Sequence, residues 1–221
     1  MTVSFLGYGE ERLLCKSAIV LAGGESSRFG EDKGIVNLAG TPLINWVVDS
    51  VRSMVNEIVV VTCCQERIAK YAELVGPKTK LVVDERESKG PLIGAYTGFN
   101  AATSKYALLL PFDTPFVSKQ VVALLFDLAE GRAATIPRWP NGQIEPLHAV
   151  YRTKAAVEAA KSAIEESKLD MRSMIERMHG VRYVSTLVVE QLDPELKTFF
   201  NINTLFDLKK AVTLIGTKRI R

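Results

Sequence analysis

The organisation of the chain follows from residues 17–33, which read SAIVLAGGESSRFGEDK. Four apolar residues, 18–21, predict a short buried strand. The strand runs into Ala22, Gly23 and Gly24, where the two glycines let the backbone turn tightly and leave no side chain to hold a ligand away. Backbone N–H groups in such a turn can face an anion such as a triphosphate.

Polar side chains follow this turn. Ser26, Arg28 and Lys33 supply a hydroxyl donor and two cations, which a phosphate chain needs to balance its charge. The alternative is a plain strand-to-helix turn with exposed basic residues. A glycine pair at a strand end, followed by Ser, Arg and Asp-Lys, favours the phosphate interpretation. The segment has neither the GxxxxGK[ST] pattern of a P-loop nor GxGxxG, so it is neither of those two nucleotide fingerprints.

Length and composition limit the class of protein. The 221 residues are 47% hydrophobic and 24% charged, which is typical of one α/β domain with a sizeable buried core. We expect an N-terminal extension over residues 1–16, the domain over 17–215 and a basic tail over 216–221. The net charge of +3 suits anionic small molecules and does not indicate nucleic acid.

Cysteine usage and hydropathy indicate the compartment. Cys15, Cys63 and Cys64 form neither a disulfide framework nor a zinc-binding spacing. Cys63 and Cys64 end an apolar run, so we expect buried free thiols there and a reducing, cytoplasmic setting. No apolar run approaches the roughly 20 residues of a membrane span, and residues 1–16 lack the apolar core of a signal peptide.

Strands alternate with helices along most of the chain, which predicts an α/β fold: a mostly parallel central sheet with helices on both faces. The predicted strands are 18–21, 35–38, 57–62, 81–83, 106–110, 133–137, 143–151 and 181–185. The predicted helices are 42–54 with Thr41 as cap, 65–74, 91–102, 118–129, 153–166, 170–178 and 205–214. Asn141-Gly142 predicts a hairpin between the sixth and seventh of these strands.

Ligands of parallel sheets bind beyond the carboxyl ends of the strands, so the residues there are the candidates for chemistry. Asp84 ends one strand, where a carboxylate can accept two N–H bonds from a guanine edge or can cap a turn, and the residues alone leave both open. Asp113 lies between a core strand and a turn stiffened by prolines, which suits Mg²⁺. The alternative for Asp113 is a helix cap or an Asx turn.

Three further features have two interpretations each. Gly90 and Gly94 allow a ligand to approach a helix N-terminus, or they are a simple helix start. His148 is either a catalytic base or a core histidine with a satisfied ring, and the second is favoured. Asn201 and Asn203 point the same way from an extended segment and can grip a polar heterocycle or a phosphate; otherwise they cap the last helix.

Five motifs in order resemble the MobA family, the molybdenum cofactor guanylyltransferases of the sugar-nucleotide-type nucleotidyltransferase superfamily. They are LAGG-x-S-x-R-F-G-x-D-K, GPLIG, DTPF, EPLHAVY and FNINT, and the resemblance covers residues 19–208. Leu205 stands where the family usually has proline. The resemblance implies a single three-layer, Rossmann-like nucleotidyltransferase domain. It also implies that GMP passes from GTP to the phosphate of molybdopterin or the molybdenum cofactor, with release of pyrophosphate and with Mg²⁺ as cofactor.

Together, the motifs and the resemblance assign a role to each candidate. The triphosphate would be bound by Gly23, Gly24, Arg28 and Lys33, and Mg²⁺ would be bound by Asp113. The guanosine would be held by Asp84 with Thr62, Leu21 and Ala22. The acceptor side would be lined by Gly90, Gly94, Asn201 and Asn203. Arg28, Lys33 and Asp113 would be catalytic. Arg172 aligns loosely with an arginine that reaches the pterin phosphate, and a surface arginine is the alternative.

Three other functions stay open at this point. They are a cytidylyltransferase for the same cofactor, a nucleotidyltransferase for another phosphorylated small molecule, and a non-catalytic nucleotide-binding regulator. The partners expected are the two substrates, together with transient contacts with other molybdenum cofactor proteins.

Overall fold

The computed structural model describes residues 16–23, 32–84 and 90–218. Gly24 and Arg28 lie outside the described residues, as do residues 1–15 of the expected extension and 219–221 of the tail. Within the described part of the chain, no helix has the length and apolarity that crossing a membrane requires.

A seven-stranded sheet forms the centre of the molecule, with the strand order β5-β4-β1-β6-β8-β7-β9. The strands are β1 Lys16–Leu21, β4 Glu57–Thr62, β5 Thr79–Val83, β6 Tyr106–Pro111, β7 Ala134–Arg138, β8 Ala149–Arg152 and β9 Val181–Ser185. Two short strands, β2 Asn37–Leu38 and β3 Thr41–Pro42, form a separate ribbon. In the main sheet β8 runs antiparallel to both of its neighbours, and the other pairs are parallel. The predicted mostly parallel sheet is confirmed.

Helices cover both faces of the sheet, as predicted. They are α1 Leu43–Val51, α2 Gln65–Val75, α3 Pro91–Ala101, α4 Lys119–Ala129, α5 Thr153–Glu165, α6 Met171–Glu176, α7 Thr186–Glu190 and α8 Leu205–Lys218. Side chains of α1, α2 and α4 pack in the core on one face, and those of α3, α5 and α6 pack on the other. Helix α7, capped by the Ser185 hydroxyl that accepts the Leu187 N–H, was not predicted.

Strand β1 lies between β4 and β6, and its residues Ala18, Ile19 and Val20 are fully buried. Ile19 faces the core under α3, whereas Val20 faces the core under α1 and α4, as the period-two alternation of a strand requires. Helix α3 comes so close to β1 that a Cβ on Gly98 would lie 2.4 Å from Cγ2 of Ile19. A glycine at this position therefore fixes how closely α3 packs on the sheet.

The segment from Asp32 to Leu38 differs from the prediction of a strand over 35–38. Lys33–Ile35 forms a 3-10 helix, because the Asp32 side chain accepts the Gly34 N–H and caps it. Only Asn37–Leu38 is extended, and it pairs with Thr41–Pro42. Thr41 is therefore a strand residue rather than a cap, and α1 runs from Leu43 to Val51 instead of to residue 54.

The hairpin between β7 and β8 is present, but its returning strand is shorter than the predicted 143–151. The Trp139 N–H donates to the Gln143 carbonyl, and Gly142 has the positive φ of +88° that such a turn uses. Pro146 has no N–H to donate to a ladder, and the chain stays irregular until β8 begins at Ala149. Since β7 runs parallel to β6, residues 139–148 lie at the carboxyl edge of the sheet.

Candidate active site

Four neighbouring parallel strands end at one edge of the sheet, and each is followed by a predicted site residue. In spatial order these residues are Asp84 after β5, Thr62 at the end of β4, Gly23 after β1 and Asp113 after β6. With strands about 4.8 Å apart, Asp84 and Asp113 are separated by roughly 14 Å along this edge. The edge is therefore long enough for an extended ligand.

Lys33, Asp113 and Asn203 meet at one end of this edge. The Lys33 ammonium donates to Oδ2 of Asp113 at 2.6 Å and to Oδ1 of Asn203 at 3.0 Å, and it lies 5.6 Å from the centre of the Phe112 ring. The Ile202 N–H donates to the Asp113 carbonyl at 2.9 Å, which ties the asparagine segment to the end of β6. Three distant parts of the sequence thus form one polar cluster.

Asp113 has one carboxylate oxygen that this cluster does not use. Its Oδ1 is buried and has no hydrogen-bond partner among the described residues. The same residues contain no group of three or more His, Cys, Asp or Glu side chains arranged to hold a metal. Mg²⁺ is commonly bound by one or two carboxylates, with phosphate oxygens and water completing its shell. The free oxygen of Asp113 fits that kind of site.

The two asparagines lie on either side of a buried residue, as predicted for an extended segment. Asn201 and Asn203 are exposed, whereas Ile202 between them is fully buried. Helix α8 is capped by another pair: Oδ2 of Asp207 accepts the Thr204 N–H at 2.9 Å, and the Thr204 hydroxyl accepts the Asp207 N–H at 3.2 Å. The Asn203 amide oxygen is therefore left to accept from the lysine in the site.

At the other end of the edge lies the predicted base-binding side. The Asp84 N–H donates to the Thr62 carbonyl at 2.8 Å, and its carboxylate accepts from the Thr97 hydroxyl at 3.1 Å. Thr62 is fully buried, and its hydroxyl donates to the Cys64 carbonyl and accepts the Cys64 N–H. Thr62 thus shapes the turn after β4. The expectation that Cys63 and Cys64 are buried is wrong, because this turn leaves Cys63 exposed and Cys64 partly exposed.

The remaining predicted residues lie close to other parts of the protein. An added Cβ on Gly94 would lie 3.5 Å from Cδ2 of Leu21, and one on Gly90 would lie 3.0 Å from the Leu169 carbonyl oxygen. A side chain added at either glycine would therefore contact protein atoms rather than extend into the cleft. Ala22 is buried, and its N–H donates to the Val61 carbonyl. Its own carbonyl accepts a hydrogen bond from Arg67.

A network around Asp32 was missed by sequence reasoning. Oδ1 of Asp32 accepts the Gly34 N–H at 3.0 Å and the Tyr71 hydroxyl at 2.9 Å. Its Oδ2 lies 3.1 Å from Nε of Arg67, and Nη1 of Arg67 donates to the Ala22 carbonyl at 3.1 Å. Arg67 and Tyr71 are four residues apart and so share one face of α2, and this spacing was the available signal.

His148 is a core residue rather than a catalytic base. It is 2% exposed, its ring packs edge-on against Phe199 with centroids 5.3 Å apart, and burial lowers its pKa to about 3. The expectation of a satisfied ring is wrong, because neither ring nitrogen has a hydrogen-bond partner among the described residues. Arg172 is exposed in the first turn of α6.

The chain is similar to proteins of one family over most of its length. A protein named probable molybdenum cofactor guanylyltransferase from Methanosarcina mazei is 32% identical over 208 residues, which are 92% of each chain. A protein of the same name from Pyrococcus furiosus is 35% identical over 201 residues, covering 89% of this chain and 96% of that one. The crystal structure of molybdopterin-guanine dinucleotide biosynthesis protein A from Archaeoglobus fulgidus superposes with a TM-score of 0.78 at 28% identity, covering 91% and 99% of the two chains.

The MobA-like NTP transferase domain matches residues 18–181, a span that includes the glycine-pair segment 22–33, GPLIG, DTPF and EPLHAVY. That span also contains the carboxyl ends of β1, β4, β5 and β6, which form the site edge. With this match, and with relatives above 30% identity over about nine tenths of the chain, the protein belongs to the MobA-like NTP transferase family.

Proposed function

We propose that the protein transfers GMP from GTP to the phosphate of molybdopterin or the molybdenum cofactor and releases pyrophosphate. The observation that carries the proposal is the meeting of Lys33, Asp113 and Asn203 at the carboxyl edge of the sheet. Relatives from Methanosarcina mazei and Pyrococcus furiosus are named for this guanylyl transfer, and this chain covers more than nine tenths of their length.

The nucleotide would lie along the edge from Asp84 to Asp113. Its guanosine would lie at the end of β5 and β4, and its triphosphate would cross the end of β1 toward Lys33. The acceptor would then approach from the side of Asn203. The triphosphate would contact Gly23, Gly24, Arg28 and Lys33. The guanosine would contact Leu21, Ala22, Thr62 and Asp84, and the acceptor would contact Asn201 and Asn203.

The reaction needs charge neutralisation and alignment more than proton transfer. An oxygen of the acceptor phosphate forms a bond to the α-phosphorus, and the bond from that phosphorus to the β-phosphate oxygen breaks, so the electron pair leaves with pyrophosphate. A phosphate monoester has a second pKa of about 6 and is already a nucleophile at neutral pH. No general base is required, which agrees with the burial of His148.

Two groups balance the negative charge in this scheme. The Lys33 ammonium would contact phosphate oxygens from the position it holds between Asp113 and Asn203. Asp113 would hold Mg²⁺ through its unused oxygen. When bound, Mg²⁺ would neutralise charge on the triphosphate and on the leaving pyrophosphate.

The direct test is pyrophosphate release from GTP, CTP and ATP, each with Mg²⁺ and molybdopterin. Of the three nucleotides, we expect only GTP to give pyrophosphate release. We also expect GTP with Mg²⁺ to raise the thermal stability of the protein, because a ligand that binds the folded state stabilises it by mass action. Preference for CTP would instead identify a cytidylyltransferase. Stabilisation by a nucleotide without pyrophosphate release, in an assay where a known guanylyltransferase is active, would identify a regulator.

A further inference from the structure

We propose that Arg67 is a positioning residue that holds Lys33 in the site by acting through Asp32. The part of the proposal that concerns nucleotide affinity rests on the proposed function, whereas the positioning of Lys33 does not.

The Arg67 guanidinium contacts two parts of the chain, Ala22 and Asp32, which lie before and after the predicted triphosphate-binding segment. Nη1 of Arg67 donates to the carbonyl of Ala22, the first residue after β1, at 3.1 Å, and Nε lies 3.1 Å from Oδ2 of Asp32. The two side chains are only 17% and 11% exposed. Water therefore screens this ion pair less than it screens a surface pair.

Asp32 transmits this constraint to Lys33. Its other oxygen caps the 3-10 helix that begins at Lys33, by accepting the Gly34 N–H. The hydroxyl of Tyr71 donates to the same oxygen, and a Cβ on Gly34 would lie 2.3 Å from that hydroxyl, so glycine is needed for this contact. Oδ1 thus has two hydrogen-bond donors, whereas Oδ2 is buried and has the ion pair with Arg67 but no hydrogen-bond partner among the described residues. The cap on Oδ1 sets the backbone direction at Lys33, and the charge of Arg67 keeps Asp32 in this position.

Arginine is the side chain that suits this arrangement. Its planar fork can meet a carboxylate and a carbonyl at once, which the single ammonium group of lysine does less well. Without Arg67, Oδ2 of Asp32 would lose its cation in a mostly buried position. Asp32 would then turn toward water, and the cap that sets the start of the 3-10 helix would weaken. Lys33 would leave its position beside Asp113 for a larger fraction of the time.

The test compares Arg67→Ala with a matched control, Arg52→Ala. Nε of Arg52 lies 3.1 Å from Oδ1 of Asp49, and Nη2 donates to the Val75 carbonyl at 2.9 Å, so this arginine makes the same two kinds of contact away from the site. The first readout is acylation of Lys33 by an amine-reactive ester, followed by mass spectrometry without nucleotide. The Lys33 side chain is 11% exposed and should react slowly in the native protein.

We expect Arg67→Ala to raise the labelling rate of Lys33 by about tenfold and Arg52→Ala to leave it unchanged, because labelling of a protected group follows its local opening. Arg67→Lys should fall between the native protein and Arg67→Ala, and it serves as the test if the alanine variant does not fold. Equal Lys33 labelling in the native protein and the Arg67 variants would overturn the proposal.

The second readout is the KM for GTP against kcat. Arg67→Ala should raise KM by about tenfold, since Lys33 is less often in place, and millimolar guanidinium should restore part of the loss. Arg52→Ala should change neither constant. If the native protein released no pyrophosphate, the proposed function would fail while the labelling result still decided the role of Arg67.

Discussion

The ammonium group of Lys33 lies 2.6 Å from the carboxylate of Asp113, although 80 positions separate the two residues in the sequence. They meet because β1 and β6 are neighbours in the sheet, with Leu21 paired to Pro111 at their carboxyl ends. A cation and an anion held at this edge, with Asn203 on the same ammonium, form the centre of the site.

Lys33→Ala should reduce kcat by about 10²–10³-fold, the usual loss when one preorganised group that balances transition-state charge is removed. The measurement is pyrophosphate release at saturating GTP. Lys197→Ala is the control, because Lys197 is a similarly covered lysine, 16% exposed and 2.8 Å from Glu195. A native rate for Lys33→Ala would refute the phosphate assignment.

Asp113→Asn should raise the Mg²⁺ concentration for half-maximal activity by more than about tenfold, since an amide is a weaker ligand for a hard cation than a carboxylate. Titration of Mg²⁺ at fixed GTP measures this. Asp127→Asn, at an exposed position on α4, changes the net charge equally and should have no effect. Identical Mg²⁺ curves for the two variants would exclude Asp113 as a metal ligand.

Asp84→Ala should lower the preference for GTP over ATP and CTP by about 10- to 100-fold. This is the change in affinity expected when hydrogen bonds to a charged acceptor are lost. Ratios of kcat/KM for the three nucleotides measure the preference. Thr97→Val removes the hydroxyl that donates to Asp84 and should give a smaller loss in the same direction. An unchanged ratio in Asp84→Ala would mean that this carboxylate does not read the base.

His148 should make the protein less stable as the pH falls. Burial lowers its pKa in the folded state to about 3 from about 6.5, so between these values the unfolded chain binds a proton that the folded chain does not. The uncharged state of His148 in the fold should lower the free energy of unfolding by about 2 kcal/mol at pH 5 relative to pH 8.

Urea denaturation of His148→Leu at several pH values would isolate this effect. Glu145, whose carboxylate lies 3.8 Å from Nδ1 of His148, has a pKa raised by burial and titrates in both proteins. The difference between the two pH curves therefore reports the titration of His148 together with its effect on the neighbouring Glu145. His179→Leu, at the exposed second histidine, should keep the native pH dependence. Parallel curves for native protein and His148→Leu would contradict the prediction.

Gly98→Ala should destabilise the fold by about 1–3 kcal/mol, because the new methyl group would overlap Cγ2 of Ile19 and push α3 off the sheet. Gly216→Ala is the matched control in α8, where an added Cβ meets nothing within 4 Å. That change should be neutral or stabilising by up to about 1 kcal/mol. Urea denaturation measures both, and equal effects would argue against tight packing at Gly98.

Much of the sheet was predictable because its central strands are short apolar runs separated by helical patterns. Once β1 and β6 are strands of one parallel sheet, Gly23 and Asp113 must lie at the same edge. The contact of Lys33 with Asp113 at that edge could not be read from the strand pattern, because Lys33 lies twelve positions after the end of β1.

The parts that could not be predicted depend on tertiary contacts. The Asp32 cap converts an apolar segment that looks extended into a 3-10 helix. The rotation of α2, which brings Arg67 and Tyr71 onto Asp32, is set by packing rather than by local sequence. Pro146 shortens β8 in a segment whose apolar residues otherwise favour a strand.

The reversed direction of β8 separates four adjacent parallel strands from β7 and β9. Residues 16–113 supply the four adjacent parallel strands, and the connection at 139–148 reaches the same edge from the opposite half. Trp139 and His148 of that connection pack on Phe199, close in sequence to Asn201. Under the proposed function, insertions or replacements there would alter the acceptor side of the site and leave the ends of β1, β4 and β5 in place. The fold therefore offers a route by which acceptor choice can diverge while the nucleotide half is kept.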